Sequence, residues 1–167
     1  LSRYRVGVCL GTSVGASLNF LECCRALKNG TPPPLDEFVR FTASNPAMAI
    51  AKIFQLSGPR QTTTNACSSG TDAIGTAAQW VRLGLCDIAI AGGCDELSEV
   101  SYTGFSRLLI TSAEPCKPFD KYRKGLNLGE GAGIVILESA QLRAKRQIAP
   151  QGYVLGYGTC TDAYHLT

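Results

Sequence analysis

The chain has 167 residues, of which 45% are hydrophobic and 17% charged, a balance that excludes a disordered or low-complexity segment and fits one globular unit on the apolar side. The net charge of +3 comes from scattered residues with no basic stripe, so no nucleic-acid partner is expected. No apolar run reaches membrane-spanning length and nothing resembles a signal peptide, so no membrane is expected either. Eight cysteines without a Cys-x-x-Cys spacing and the lone His165 argue against a zinc site, and fit reduced thiols in a cytoplasmic protein.

In chain order, Tyr4 to Leu10 reads as a short apolar strand ending at Gly11, and residues 11–15 as a tight turn. A helix is expected from Ala16 to Lys28, stopped by Asn29-Gly30. Thr31-Pro32-Pro33-Pro34 is a breaker and the best candidate for an exposed loop, without being a domain boundary. Asn45-Pro46 opens a second helix, with Asn as cap and Pro in the first turn, running to about Phe54. A strand is expected over 61–64, a helix over 69–83, and a buried strand over 87–91 closed by Gly92-Gly93. Then follow a short helix over 102–109, a loop over 117–129, a strand over 131–137, a helix over 139–146 and a last strand over 152–160. This alternation predicts an α/β fold around a largely parallel sheet. Low charge with many Ala and Gly predicts elements buried on both faces, or a large partner surface.

The chemistry concentrates at Thr64-Asn65-Ala66-Cys67-Ser68-Ser69-Gly70. Cys67 stands between a β-branched strand and a helix rich in Gly and Ala. Such a strand–turn–helix corner holds a nucleophile at a helix N-terminus. Unpaired backbone N–H groups and the helix dipole there favour a thiolate and can bind an oxyanion. Small neighbours leave room for an acyl chain. The alternative from these residues alone is a small buried Cys capping a core helix. His165, just past the expected last strand, is far enough in sequence from Cys67 to meet it in space. A neutral imidazole could donate to an enolate oxygen or act as acid or base, although a lone His is more often structural.

Residues 64–75, Thr-Asn-Ala-Cys-Ser-Ser-Gly-Thr-Asp-Ala-Ile-Gly, resemble the active-site segment of β-ketoacyl-acyl-carrier-protein synthases, condensing enzymes of the thiolase-like superfamily. Four further segments fall in that family's order: Arg5-Val6-Gly7-Val8 through Thr12; Ala89 to Gly93; Pro118-Phe119-Asp120 with Arg123 and Gly129-Glu130-Gly131-Ala132-Gly133; and Gly156-Tyr157-Gly158 with Asp162 to Thr167. The resemblance implies the thiolase fold and, here, one incomplete half of its layered αβαβα architecture. Residues 1–167 would be a partial N-terminal ketosynthase domain, without the family's first strand–helix section and its C-terminal half.

The resemblance also implies a mechanism. An acyl group passes from acyl carrier protein to Cys67, a malonyl thioester loses carbon dioxide, and the carbanion attacks the acyl-Cys67 carbonyl. His165 matches the first of the family's two active-site histidines, which helps decarboxylation. No cofactor and no metal is called for. The implied partners are acyl carrier protein, through acyl- and malonyl-phosphopantetheine thioesters, and a second subunit in a homodimer or heterodimer. Val14 and Phe105 match positions lining the family's acyl pocket, with ordinary core as the alternative. Phe119, Asp120, Arg123 and Glu130 match a structural loop beside the site, where an Asp–Arg pair and a held Glu would fix the loop. Residues 42–48 match a segment that reaches the dimer interface. The competing readings are a thiolase, which shares fold and nucleophile, and a non-catalytic subunit like a chain-length factor, a class that typically lacks the nucleophilic Cys.

Overall fold

In a computed structural model describing residues 3–43 and 45–164, strand β1 (Val6–Gly11) is buried along its whole length. Successive side chains of a strand point to opposite faces, and β1 uses both. Val6, Val8 and Leu10 enter one apolar cluster with Ala47, Ala51, Leu56 and Ile88. Cys9 enters another with Ala73, Ala77, Cys86, Ala89 and Ala91. The first cluster is roofed by α3 (Pro46–Ile53) and Leu142 of α6 (Ala140–Arg146); the second is roofed by α4 (Ser69–Arg82). The residues facing α4 are small, so that helix comes close to the sheet.

The sheet order is β2-β1-β3-β4, with β2 at Arg60–Thr63, β3 at Ile88–Asp95 and β4 at Gly131–Glu138. β1 pairs in parallel with β2 and β3, and β4 runs antiparallel to β3 from Ile88↔Glu138 to Asp95↔Gly131. The largely parallel α/β expectation therefore holds, with an antiparallel strand at one edge. Gly92-Gly93 does not close β3: pairing with β4 carries the strand on to Asp95. Ile134, Val135 and Ile136 of β4 are exposed.

Helix α1 (Leu18–Lys28) and the exposed Thr31–Pro34 stretch lie as expected. The helix α2 (Leu35–Ala43) that follows was not expected. Proline favours a helix start as well as a break, and Asp36 and Glu37 in the first turn complement the helix dipole. Phe20 of α1 meets Phe38 and Phe41 of α2 at ring-centroid distances of 6.2 and 4.8 Å. Helix α5 (Glu99–Arg107) starts earlier than expected because the Ser98 hydroxyl accepts the Ser101 N–H at 3.1 Å. The strand expected over 152–160 is absent. That stretch forms no helix and pairs with no strand among the described residues.

Asn45 joins two elements. Its Oδ1 accepts the Met48 N–H and the Thr62 hydroxyl, each at 2.9 Å, so it caps α3 and ties that helix to β2. Asn45→Ala is expected to cost about 1–2 kcal/mol, the loss of an N-cap. Urea unfolding of the variant against wild type measures it, and an unchanged midpoint would refute the tie.

Candidate active site

Parallel strands β1 and β3 end side by side, and α4 begins above their carboxyl ends. Open α/β sheets bind ligands in that position. A cleft of about 340 Å³ lies there, lined by Gly11 at the end of β1 with Thr12 and Ser13 after it, by Cys67 just before α4 with Ser69 and Gly70 at its start, and by Cys94, Asp95 and Glu130 opposite.

Cys67 is exposed, at the centre of a 3-10 turn over Ala66–Ser68 that leads directly into α4. Ala66 has φ 48°, a left-handed conformation that a residue with a Cβ rarely adopts. Strain of this kind persists only where the surroundings hold it. Here the Ser69 hydroxyl accepts the Asn65 N–H and donates to the Ala66 carbonyl, both at 2.6 Å. The Asn65 amide and the Ser68 hydroxyl bond the Asp72 carboxylate at 2.8 and 2.9 Å. The turn thus presents the thiol to the cleft at the N-terminal end of a fourteen-residue helix, whose first N–H groups have no intrahelical partner. Of the two readings open at the sequence level, the buried helix-capping cysteine is overturned: Cys67 faces the cleft.

Cys9 in β1, Cys94 in β3 and Cys86 just before β3 lie in or beside the sheet. Burial pushes the Cys9 thiol up to about 11, partly offset by a hydrogen bond with Thr63. Burial also raises the thiols of Cys86 and Cys94, with the Asp95 and Glu96 carboxylates adding to the effect on Cys94. These groups stay protonated at neutral pH, and a protonated thiol is a poor nucleophile.

The cleft walls are fixed by carboxylates. Asp95 accepts the Thr12 hydroxyl at 2.9 Å, the Ser13 N–H at 2.8 Å and the Ser13 hydroxyl at 3.0 Å, pinning the turn after β1 to the end of β3. Glu130 accepts the Leu97 N–H at 3.2 Å. Asp72 is held below its ordinary value of 3.8 by the Asn65 amide first, then by the hydroxyls of Tyr157 and Ser68.

The remaining sequence-predicted residues scatter. Val14 is half-buried in the bend after the cleft-lining Ser13, and Phe105 is half-buried on α5; neither lines the cleft. Phe119 is fully exposed, at φ 66°. The Asp120 carboxylate accepts the Tyr122 N–H at 2.6 Å, and the Arg123 guanidinium donates to the Asp120 main-chain carbonyl at 3.0 Å. Asp120 and Arg123 therefore do fix a turn, but through main-chain groups rather than carboxylate to guanidinium. Glu130 alone of the four lines the cleft. His165 lies outside the described residues. A larger groove of about 530 Å³ runs along α5, with Leu97, Tyr102 and Leu126 in its lining; the Leu97–Glu130 hydrogen bond joins its wall to that of the cleft.

Sequence reasoning missed Asp72, Tyr157 and Asp95. A signal for the first existed: a carboxylate in the Ala- and Gly-rich run 69–77 must be buried with partners or face solvent, and Ser68 and Asn65 stand four and seven residues before it, one and two helical turns. Nothing in the sequence pointed to Asp95 or to Tyr157 as partners.

Comparison with known proteins gives consistent matches. The family model described as beta-ketoacyl synthase, N-terminal domain, matches residues 1–143. The 3-oxoacyl-[acyl-carrier-protein] synthase 2 of Staphylococcus aureus is 33% identical over 172 residues, covering 98% of this chain and 42% of its own length. The solved ishigamide ketosynthase/chain length factor superposes with a TM-score of 0.86 at 31% identity, over 96% of this chain and 41% of the other. The AntDE:AntF complex, a type II polyketide acyl-carrier protein with its ketosynthase bound to the hexaketide, gives 0.74 at 28% identity, over 87% and 39%. The chain spans about two fifths of the length of the curated relatives it matches.

Proposed function

The chain belongs to the β-ketoacyl synthase family, and from that premise we propose that Cys67 is the acyl acceptor of a decarboxylative condensing enzyme. The observation that carries this reading is the exposed thiol in a strained turn at the start of α4, open to the cleft. Covalent capture splits one difficult carbon–carbon bond formation into two easier steps. The Cys67 sulfur attacks an acyl thioester carbonyl, a tetrahedral oxyanion forms and collapses, and the carrier thiol leaves. The helix N-terminus stabilises negative charge at that point. A malonyl thioester then loses carbon dioxide, and its α-carbon displaces the Cys67 sulfur. His165 is assigned to the enolate oxygen of that second step.

The carrier in this reading is an acyl carrier protein, supported by the carrier-bound ketosynthase among the similar structures. A second subunit, as homodimer or heterodimer, and a cytoplasmic setting belong to the same proposal. No helix among the described residues is long and apolar enough to cross a membrane. The chain is read as part of an N-terminal ketosynthase domain. The exposed Ile134, Val135 and Ile136 of β4 support this reading, as apolar surface suited to packing against the rest of such a domain. Val14 and Phe105 are assigned to the acyl pocket, with Val14 directly beyond the cleft-lining Ser13.

A second reading, a subunit like a chain-length factor, draws on the likeness to the ishigamide ketosynthase/chain length factor. The presented thiol favours the catalytic one.

The test uses the intact protein with an acyl thioester and a malonyl thioester. Mass mapping is expected to find the acyl group on Cys67, and carbon dioxide is expected only when both substrates are present. His165→Ala is expected to keep loading and lose condensation. Acylation at another cysteine would sink the assignment of Cys67, and loss of loading in a folded His165→Ala variant would sink that of His165.

A further inference from the structure

Asp72 is out of place by composition. It adjoins Ala73, which packs with Ala77 against the sheet, and shares with Gly75 the neighbouring face of α4, yet it is only 8% exposed. A buried carboxylate needs donors, and three converge on it. The Asn65 amide and the Ser68 hydroxyl reach Oδ2 at 2.8 and 2.9 Å, and the Tyr157 hydroxyl reaches Oδ1 at 2.8 Å. Two of these donors flank Cys67 in sequence. Neither the Asn65 nor the Ser68 side chain accepts a helix N–H as a cap; each turns to Asp72 instead. The third donor comes from residues 152–160, which pair with no strand among the described residues. Its ring lies directly over Gly75, where an added Cβ would come within 2.1 Å of it. The helix therefore provides a slot for the ring and a carboxylate for the hydroxyl.

We propose that Asp72 and Tyr157 form a positioning unit for the Cys67 nucleophile, Asp72 holding the turn through Asn65 and Ser68, and Tyr157 tying that turn to residues 151–160. The assignment rests on Cys67 being an acyl acceptor. It accounts for the persistence of the left-handed Ala66 beside a thiol that must meet a carbonyl at a fixed angle. It also gives residues 151–160, which no ladder among the described residues holds, a fixed position against α4. The protonation states agree: the Asn65, Tyr157 and Ser68 bonds lower the Asp72 carboxyl, and the bond to Asp72 raises the Tyr157 phenol. At neutral pH the acceptor is anionic and the donor keeps its proton.

Two variants of the intact protein separate this role from plain packing. Tyr157→Phe keeps the ring on Gly75 and removes only the hydroxyl. Asp72→Asn keeps the shape and removes the charge. Single-turnover acylation by an acyl thioester of N-acetylcysteamine is followed by intact mass, with limited proteolysis across 151–160 in parallel. Each variant is expected to slow acylation at saturating thioester by between about tenfold and a hundredfold, with the half-saturating concentration unchanged. The double variant is expected to be no slower than the slower single one, as for residues acting as a unit. Both variants should be cleaved faster between 151 and 160. Full-rate acylation in both variants, or additive losses in the double, would overturn the proposal. Wild-type protein that takes no acyl group at all would defeat the acyl-acceptor reading. In that case an unchanged cleavage rate in Tyr157→Phe would remove the tie as well, and faster cleavage would uphold it.

Discussion

Cys67→Ala is expected to abolish the acyl-enzyme and to lower condensation by at least about 10⁴-fold, the scale on which removal of a covalent nucleophile is felt. Exposure alone does not single this residue out, since Cys24, Cys116 and Cys160 are exposed as well. The difference lies in what surrounds the thiol. Cys67 heads a helix, stands in a turn held by Ser69 and Asp72, and opens to the cleft. Cys116 lies in an irregular loop, where its N–H is bonded to the Asn127 side chain. Cys116→Ala is therefore the matched control, expected to load and condense within a few-fold of wild type. Acyl-enzyme by intact mass and carbon dioxide release from the malonyl thioester read out both variants. A Cys67→Ala protein that still carries acyl on sulfur, or a Cys116→Ala protein that carries none, would move the nucleophile elsewhere.

The corner that presents Cys67 was legible in the sequence because its requirements are local. A strand, a sharp turn of small residues and a helix are encoded by neighbours, and α4 falls within a residue of where its periodicity puts it. β1 was legible for the same reason. What escaped depends on partners distant in the chain. β3 runs past Gly92-Gly93 because β4, some forty residues on, supplies antiparallel hydrogen bonds to the glycines and beyond. Residues 152–160 have strand-like composition, but among the described residues no strand pairs with them. Tyr157 spends its hydroxyl on Asp72 rather than contributing to a ladder. Helix α2 was hidden by the prolines before it, whose breaking and helix-starting roles look alike until the acidic first turn and the phenylalanine contacts with α1 are weighed. The site divides in the same way: Cys67 and Glu130 reach one cleft, whereas Val14 and Phe105 do not line it.

β1 and α4 meet main chain to main chain, and Gly11→Ala is expected to break that joint. A Cβ at Gly11 would lie 2.1 Å from the Ser69 carbonyl carbon, 2.2 Å from its oxygen and 2.4 Å from the Gly70 nitrogen. All three are main-chain atoms, so no side chain can rotate away; either the strand or the helix start must move. Overpacking in a core that can adjust costs about 1–3 kcal/mol, and a collision between two rigid elements lies at or beyond the top of that range. The damage is also functional wherever the helix start gives way, because it contains the residue holding the turn. The Ser69 hydroxyl bonds both Asn65 and Ala66 at 2.6 Å, so its displacement takes Cys67 with it. Gly104→Ala provides the contrast. Nothing lies within 4 Å of its added Cβ, and it sits inside α5, where alanine is the better helix former. Gly104→Ala is expected to be neutral or slightly stabilising and to load acyl normally. Gly11→Ala is expected to lower the thermal midpoint sharply, reduce soluble yield and slow acylation in whatever folds. A Gly11→Ala protein with a wild-type midpoint and wild-type acylation would mean that β1 and α4 are not in direct main-chain contact, and the cleft as described would not exist.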